Sequence, residues 1–117
     1  HEFHTDQGRP VLVGKSAAGN EFLLRHKARK GDRWLHVKDF AGSHVILSAK
    51  GMEPPSFEET RYAAGLAAHF SKARGKGKVE VMVADVADVH KIKGAMKGQV
   101  SVKRYLTLLA EGVRPQE

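Results

Sequence analysis

The sequence predicts an α+β fold: a single domain with a mixed or mostly antiparallel sheet and two principal helices. Three observations lead there. Val79-Glu80-Val81-Met82-Val83 and Trp34-Leu35-His36-Val37 alternate side chains with the two-residue period of half-buried strands. Residues 56–75 instead place Tyr62, Leu66, Phe70 and Ala73 at helical spacing. The order strand, helix, hairpin, helix, strands lacks the regular alternation of a parallel sheet. At 117 residues the chain can bury one core but not two.

The elements follow in order. Val11-Leu12-Val13 reads as a short buried strand ending at Gly14, and residues 15–20 as a turn. Asn20 is the expected N-cap of a helix over about residues 21–29, with Leu23, Leu24 and Ala28 facing inward. Lys30-Gly31-Asp32 breaks it and leads into the Trp34 strand. Ala41-Gly42 turns the chain into a second strand, Ser43 to Ser48, as hairpin partner of the first.

Pro54-Pro55-Ser56 then opens the clearest helix. Ser56 and Glu59 have the spacing of a capping box, in which each side chain satisfies the other residue's free N–H. Ala63, Ala67 and Ala68 allow close packing on a sheet. Gly75 is expected to end this helix as a left-handed cap, leaving Lys72 and Arg74 in its last turn. Val79 to Val83 is a strand, Asp85 to Lys93 irregular, and Gly94 to Gly98 a loop. Val100 and Val102 form a further strand, continued by Leu106 and Leu108 after a turn at Lys103-Arg104.

Composition narrows function. The chain has no cysteine, so disulfides, thiolate metal sites and a thiol nucleophile are excluded. It has no apolar run of membrane-spanning length and no secretory signal pattern, which is compatible with the cytoplasm. It begins at His1 rather than Met, which reads as a processed product or, preferably, a piece excised from something longer.

The net charge is +7, from 20 Lys and Arg against 13 Asp and Glu. Its distribution says more than its size. Arg25, Lys27, Arg29, Lys30, Arg33 and Lys38 are opposed only by Asp32, and Lys72, Arg74, Lys76 and Lys78 by no acid. Lys91, Lys93, Lys97, Lys103 and Arg104 form a third acid-free cluster. If they share a face, they make the electrostatic footprint of a phosphate-binding surface.

The densest chemistry lies in Asp32-Arg33-Trp34-Leu35-His36-Val37-Lys38-Asp39, followed by Gly42-Ser43-His44. Strand alternation sets Leu35 and Val37 on one face and Trp34, His36 and Lys38 on the other. An aromatic ring, an imidazole and a cation in a row suit a polyanion with flat bases, and the same Trp34 could be the largest core residue. His36 and His44 could meet on neighbouring strands, yet spacing fixes no third ligand for zinc. They suit hydrogen bonds to phosphate or backbone, or ordering of the hairpin. Asp39 suits a turn as well as a site.

His36, Asp39, Ser43 and His44 contain the residue types of an acid–base enzyme, without the fixed geometry one needs. Lys15 beside Gly14 fits a phosphate contact, since glycine lets an N–H approach an anion, although the chain has no P-loop pattern. Lys91, Lys93 and Lys97 flank a glycine loop and fit a phosphate clamp. No cofactor is called for.

The motif Trp34-Leu35-His36-Val37-Lys38-Asp39 with Gly42-Ser43-His44-Val45 resembles the signature of the NFACT RNA-binding domain, the C-terminal module of ribosome-quality-control factors once described as fibronectin-binding proteins. The resemblance extends to Val13-Gly14-Lys15 with Asn20, to Ala68-His69-Phe70-Ser71-Lys72-Ala73-Arg74, and to Lys91-Ile92-Lys93-Gly94-Ala95 with Gly98. It covers residues 10–109. Ser16, Asn20-Glu21 and Ala41 stand where the family commonly has Asn, Asn-Asp and Pro.

The resemblance implies a domain at residues 10–110, an N-terminal extension or remnant at 1–9 and a frayed tail at 111–117. It also implies a non-catalytic module that binds tRNA or rRNA on the large ribosomal subunit in rescue of stalled translation. The expected contact residues are Lys15, Arg33, Trp34, His36, Lys38, His44, Lys72, Arg74, Lys91, Lys93 and Lys97. A general polyanion or DNA-binding module, and a small His-dependent RNA-processing enzyme, are the alternatives.

Overall fold

The computed structural model describes residues 1–49, 51 and 53–113. Among the described residues, eight strands and two α-helices follow one another as β1 (Glu2–His4), β2 (Pro10–Val13), α1 (Ala17–Phe22), β3 (Arg33–Val37), β4 (Val45–Leu47), α2 (Phe57–His69), β5 (Val79–Asp85), β6 (Val89–Lys91), β7 (Val100–Val102) and β8 (Leu106–Ala110). β1, β2, β4, β3, β5 and β8 form one sheet in that spatial order, and β6 and β7 a separate hairpin. All these pairings are antiparallel, so the α+β expectation holds.

The register explains why the sheet has two cores. Val13, Val45, Leu35 and Val83 lie side by side across four strands and face α2. The neighbouring row, Leu12, Ile46, Trp34 and Ala84, faces the opposite way. α2 presents buried Ala63, Ala64, Leu66, Ala67 and Ala68 to the first face, and its small side chains let it sit close, as expected. The second face is covered by Leu23, Leu24 and Ala28, by Val86, and by Val89, Val100 and Val102 from the β6–β7 hairpin. The domain therefore has three layers: α2, the sheet, and α1 with the small hairpin.

Several elements differ from the sequence reading. The first helix begins at Ala17, capped by Ser16, whose Oγ accepts from the Gly19 N–H at 3.0 Å. Asn20 is therefore inside the helix, and its buried Oδ1 accepts from the His44 N–H at 3.0 Å. After Phe22 the helix loosens into a π turn, Leu23–Lys27, closed by the Ala28 N–H donating to Leu23 O.

The capping box of Ser56 and Glu59 is present in full. α2 nonetheless ends at His69, because Ser43 and Ser71 draw the chain aside: the Ser43 N–H donates to Phe70 O at 3.0 Å and Ser71 bridges Gly42. Gly75 does take a left-handed φ of +82°, but in the loop beyond. The segment expected to be irregular contains a 3₁₀ turn, Val86–Asp88, and β6.

The N-terminal residues pack onto the sheet. β1 pairs with β2, and Arg9 is 3% exposed, so residues 1–9 are built into the domain. The guanidinium of Arg9 donates to Glu59 Oε2 (3.0 Å), Ser48 O (2.7 Å) and Glu53 O (2.5 Å), and Thr5 Oγ1 donates to the same carboxylate at 2.8 Å. At the other end, the Val113 N–H donates to Gly65 O at 3.1 Å, tying residues 111–113 to α2. Residues 114–117 of the expected tail lie outside the described residues.

Candidate nucleic-acid interface

The Trp34 motif organises the second core and leaves its ring little to offer a ligand. Trp34 is 1% exposed and His44 3%, so both rings lie inside the fold, as the core reading of Trp34 and the hairpin-ordering reading of His44 have it. The indole stacks on His36 with ring centroids 5.7 Å apart and planes 5° apart. His44 stands edge-on to both, at 5.4 Å from Trp34 and 5.3 Å from His36. Alternation assigned the faces of β3 correctly. It could not show that α1 and the β6–β7 hairpin would cover the second one.

Burial controls the charge of this cluster. It lowers the His44 pKa to about 4, with the neighbouring His36 pushing the same way and a hydrogen bond to the Gly98 backbone opposing both. Burial also lowers His36, against hydrogen bonds to the backbone of Val37 and Gly42. His36 Nδ1 lies 2.5 Å from Val37 O. Burial thus favours the neutral form of both rings, which offers no cation to a phosphate. A ring as enclosed as His44 is also badly placed to act as a general base on RNA.

Gly14 has a different task from the one expected. Its N–H donates to His44 O at 3.0 Å, within the sheet rather than toward an anion. A Cβ there would fall 2.1 Å from Asn20 Oδ1, so only glycine lets α1 approach β2 this closely. Asp39 has φ +67° and forms the turn after β3.

Three exposed cations from distant segments share one cleft. Lys15, Lys72 and Arg74 line a cleft of about 420 Å³ with Ser16, Ser43 and Ser71, although β2 and the loop after α2 are far apart in sequence. The folding of Ser71 against Gly42 brings them together: a Cβ on Gly42 would meet Ser71 Cβ at 2.8 Å. The ending of α2 at His69 thus frees Lys72 and Arg74 from a helix end and places them on the cleft wall.

The third basic cluster divides. The loop carrying Lys93 and Lys97 reaches the rim of the cleft, since Gly98 abuts Ala17 and Asn20, which also line it. Lys91 is paired with Glu21 Oε1 at 2.5 Å, and that hydrogen bond holds the Glu21 carboxyl below its ordinary range. Lys103 and Arg104 lie on another groove, with Arg104 3.6 Å from Asp88.

Arg33 and Lys38 stand apart from the cleft. Arg33 faces α2 at the far end of β3, where its Nη1 donates to Thr60 Oγ1 at 2.7 Å. Lys38 is half-buried, with its ammonium 6.0 Å from the Tyr105 ring centroid. Asp32, the acid opposing the first cluster, is itself consumed: its carboxylate accepts from the Arg29 and Ala49 N–H groups at 2.9 and 2.7 Å. None of the cleft serines was among the expected contact residues. Ser43 and Ser71 could have been found from their places in the two quoted motifs.

The arrangement defines a small basic α+β domain in which Lys15, Lys72 and Arg74 meet on a cleft beside a sealed aromatic core. The chain belongs to the NFACT protein RNA binding domain family, whose pattern matches residues 1–104. It is 39% identical over 104 residues to the Rqc2 homolog RqcH of Streptococcus suis, covering 89% of this chain and 18% of that protein. It is 36% identical over 99 residues to the Rqc2 homolog RqcH of Bacillus subtilis, covering 85% of this chain and 17% of that one. The chain thus spans under a fifth of the length of these curated relatives.

Among solved structures, it is similar to the C-terminal part of the fibronectin/fibrinogen-binding protein from Streptococcus suis. The TM-score is 0.88 at 35% identity, covering 96% of this chain and 45% of that one.

Proposed function

We propose that this domain is a non-catalytic cytoplasmic module that binds tRNA or rRNA on the large ribosomal subunit during rescue of stalled translation. The observation that carries the reading is the cleft in which Lys15, Lys72 and Arg74 meet, beside the loop bearing Lys93 and Lys97. Membership of an RNA-binding family supports RNA over DNA as the polyanion. The likeness to RqcH proteins supports a place in ribosome quality control.

Lysine and arginine neutralise phosphates and release counterions, so affinity depends steeply on salt. The serine hydroxyls of the cleft add hydrogen bonds to phosphate or ribose oxygens. Recognition by backbone and shape follows, since the buried Trp34 and His44 contribute rigidity rather than base contacts.

The test is a titration of the domain against labelled tRNA, an equal-length unstructured RNA and duplex DNA at several salt concentrations, followed by sedimentation with purified large subunits. Tighter binding to tRNA with a steep salt slope is the expected result. Weak and equal binding to all three, without sedimentation with subunits, overturns the reading.

A further inference from the structure

We infer that the cleft is one station on a longer track that seats an unpaired stretch of RNA, with Phe22 as the platform for a base. The inference rests on the RNA-binding reading above and specifies which part of an RNA the domain grips.

The cleft does not end at Lys15. A second groove, of about 710 Å³, begins at the same Val13-Gly14-Lys15 segment and runs between β2 and the first helix. Its floor is apolar, made by Pro10, Leu12 and Leu23. Its wall is Phe22, 51% exposed, with the His26 ring 4.9 Å from it. Lys27 and Arg29 complete the rim. At the other end, a hollow of about 420 Å³ continues from the cleft through His69 and Arg74. Lys15 and Arg74 are therefore joints between three consecutive depressions.

Charge complementarity selects the occupant. The second groove carries the side chains of Lys15, Lys27 and Arg29 against two carboxylates, so its cationic side chains outnumber its acidic ones. Asp32 is buried on two backbone N–H groups, and Glu2 lies 3.0 Å from His4. An anionic chain is thus drawn along the rim while an apolar floor and an open aromatic face lie beneath it. A duplex offers phosphates but keeps the faces of its bases stacked inside. An unpaired strand offers both at once, and every base has a face to stack, so the track takes single strands without strong sequence preference.

The local fold supports this use of Phe22. The residues beside it, Asn20 and Leu23, are buried, and Phe22 points outward from the last α-helical position before the π turn. Its exposure is therefore fixed by the face on which the helix packs.

The experiment compares one RNA hairpin carrying an unpaired single-stranded overhang with the same hairpin made blunt, for the native domain and for Phe22→Ala. Stacking a base on an aromatic side chain contributes enough that its removal weakens binding by about tenfold or more. The native domain is expected to prefer the overhang, and Phe22→Ala to lose that preference while binding the blunt hairpin as before. Circular dichroism checks the fold. If that variant unfolds, Lys27→Gln, a change at an exposed side chain, reads the same preference.

Equal binding of both hairpins, unchanged by Phe22→Ala, overturns the track and leaves the RNA-binding reading standing. Binding of neither hairpin nor of tRNA overturns both.

Discussion

Replacing Trp34 by alanine separates a core role from an interface role. The indole is 1% exposed and packs among Leu23, Ile46, Ala84, Met82 and the valines of the β6–β7 hairpin. Truncating a buried aromatic to alanine costs about 3–5 kcal/mol, the lost transfer energy plus the cavity left behind. With a urea slope of about 1–3 kcal/mol per molar for a domain of this size, the unfolding midpoint should fall by about 2 M. The loss should also loosen the hairpin, because the valines that Trp34 supports belong to it.

Trp34→Phe is the informative partner. It keeps a ring against His36 and removes an indole N–H that has no hydrogen-bond partner among the described residues. Its cost should be about 1 kcal/mol. Urea titration followed by circular dichroism measures both variants without relying on the tryptophan itself. Trp34→Phe should retain the RNA affinity of the native domain. A Trp34→Ala protein within about 0.5 kcal/mol of native stability that has lost RNA binding would refute the burial argument and return the ring to the interface.

Two further expectations rest on separate contacts. Gly14→Ala places a Cβ 2.1 Å from Asn20 Oδ1 and should cost about 2–4 kcal/mol by overpacking and by breaking the Asn20–His44 bond, read as a lower urea midpoint. An unchanged midpoint would show that α1 can shift freely. Neutralising Lys15, Lys72 and Arg74 together should flatten the salt dependence of RNA binding by about one unit of slope per cation lost and leave the thermal midpoint in place; an unchanged slope would remove the cleft from the interface.

The pH dependence of stability follows from the folded-state shifts. His44 is held neutral with a pKa near 4, below its unfolded value near 6.5, so the unfolded chain binds the proton first. The stability it contributes is full above pH 6.5 and is lost as pH falls toward 4, roughly 3 kcal/mol at most. His44→Phe should flatten the fall in urea midpoint across that window, and a midpoint profile as steep as the native one would contradict the assignment. Glu59 acts at lower pH. Burial raises its pKa, but hydrogen bonds from the Ser56 N–H, Thr5 and Arg9 outweigh that and leave it lowered, so its contribution holds above the ordinary carboxylate pKa and is lost below it.

What could be read from the sequence was whatever depends on local period and local hydrogen bonding. The alternation in Val79–Val83, the hairpin of the Trp34 and Val45 strands, and the capping box at Ser56 all appear as expected. The errors arise where a distant contact decides. Asn20 has the chemistry of an N-cap, yet its amide serves His44, 24 residues away, and Ser16 caps instead. Helical spacing runs on through Ala73, yet Gly42 and Ser71 pair and end α2 early. Phe3 and Arg9 gain meaning only from Val11 and Glu59. Three acid-poor runs predicted a basic surface, but Glu21 and Asp88 pair with Lys91 and Arg104 by contacts that spacing does not encode.

The position of the cleft follows from the sealing of the second face. A strand that alternates Trp34, His36 and Lys38 would be an open binding platform if the sheet had only one covering layer. Here the first helix packs Leu23 over Trp34, and the hairpin adds Val89, Val100 and Val102. With that face closed, the cations of the cleft lie at its edge, where β2 ends before Lys15 and the chain leaves α2 toward Lys72 and Arg74. The buried rings then act through rigidity: Asn20 Oδ1 bonds the backbone of His44, while Gly98 abuts both Asn20 and Ala17. This one set of contacts fixes the first helix, the β4 strand and the lysine-bearing loop relative to one another. A cleft built from three distant segments needs such a joint, because its cations repel each other and would separate if those segments moved independently.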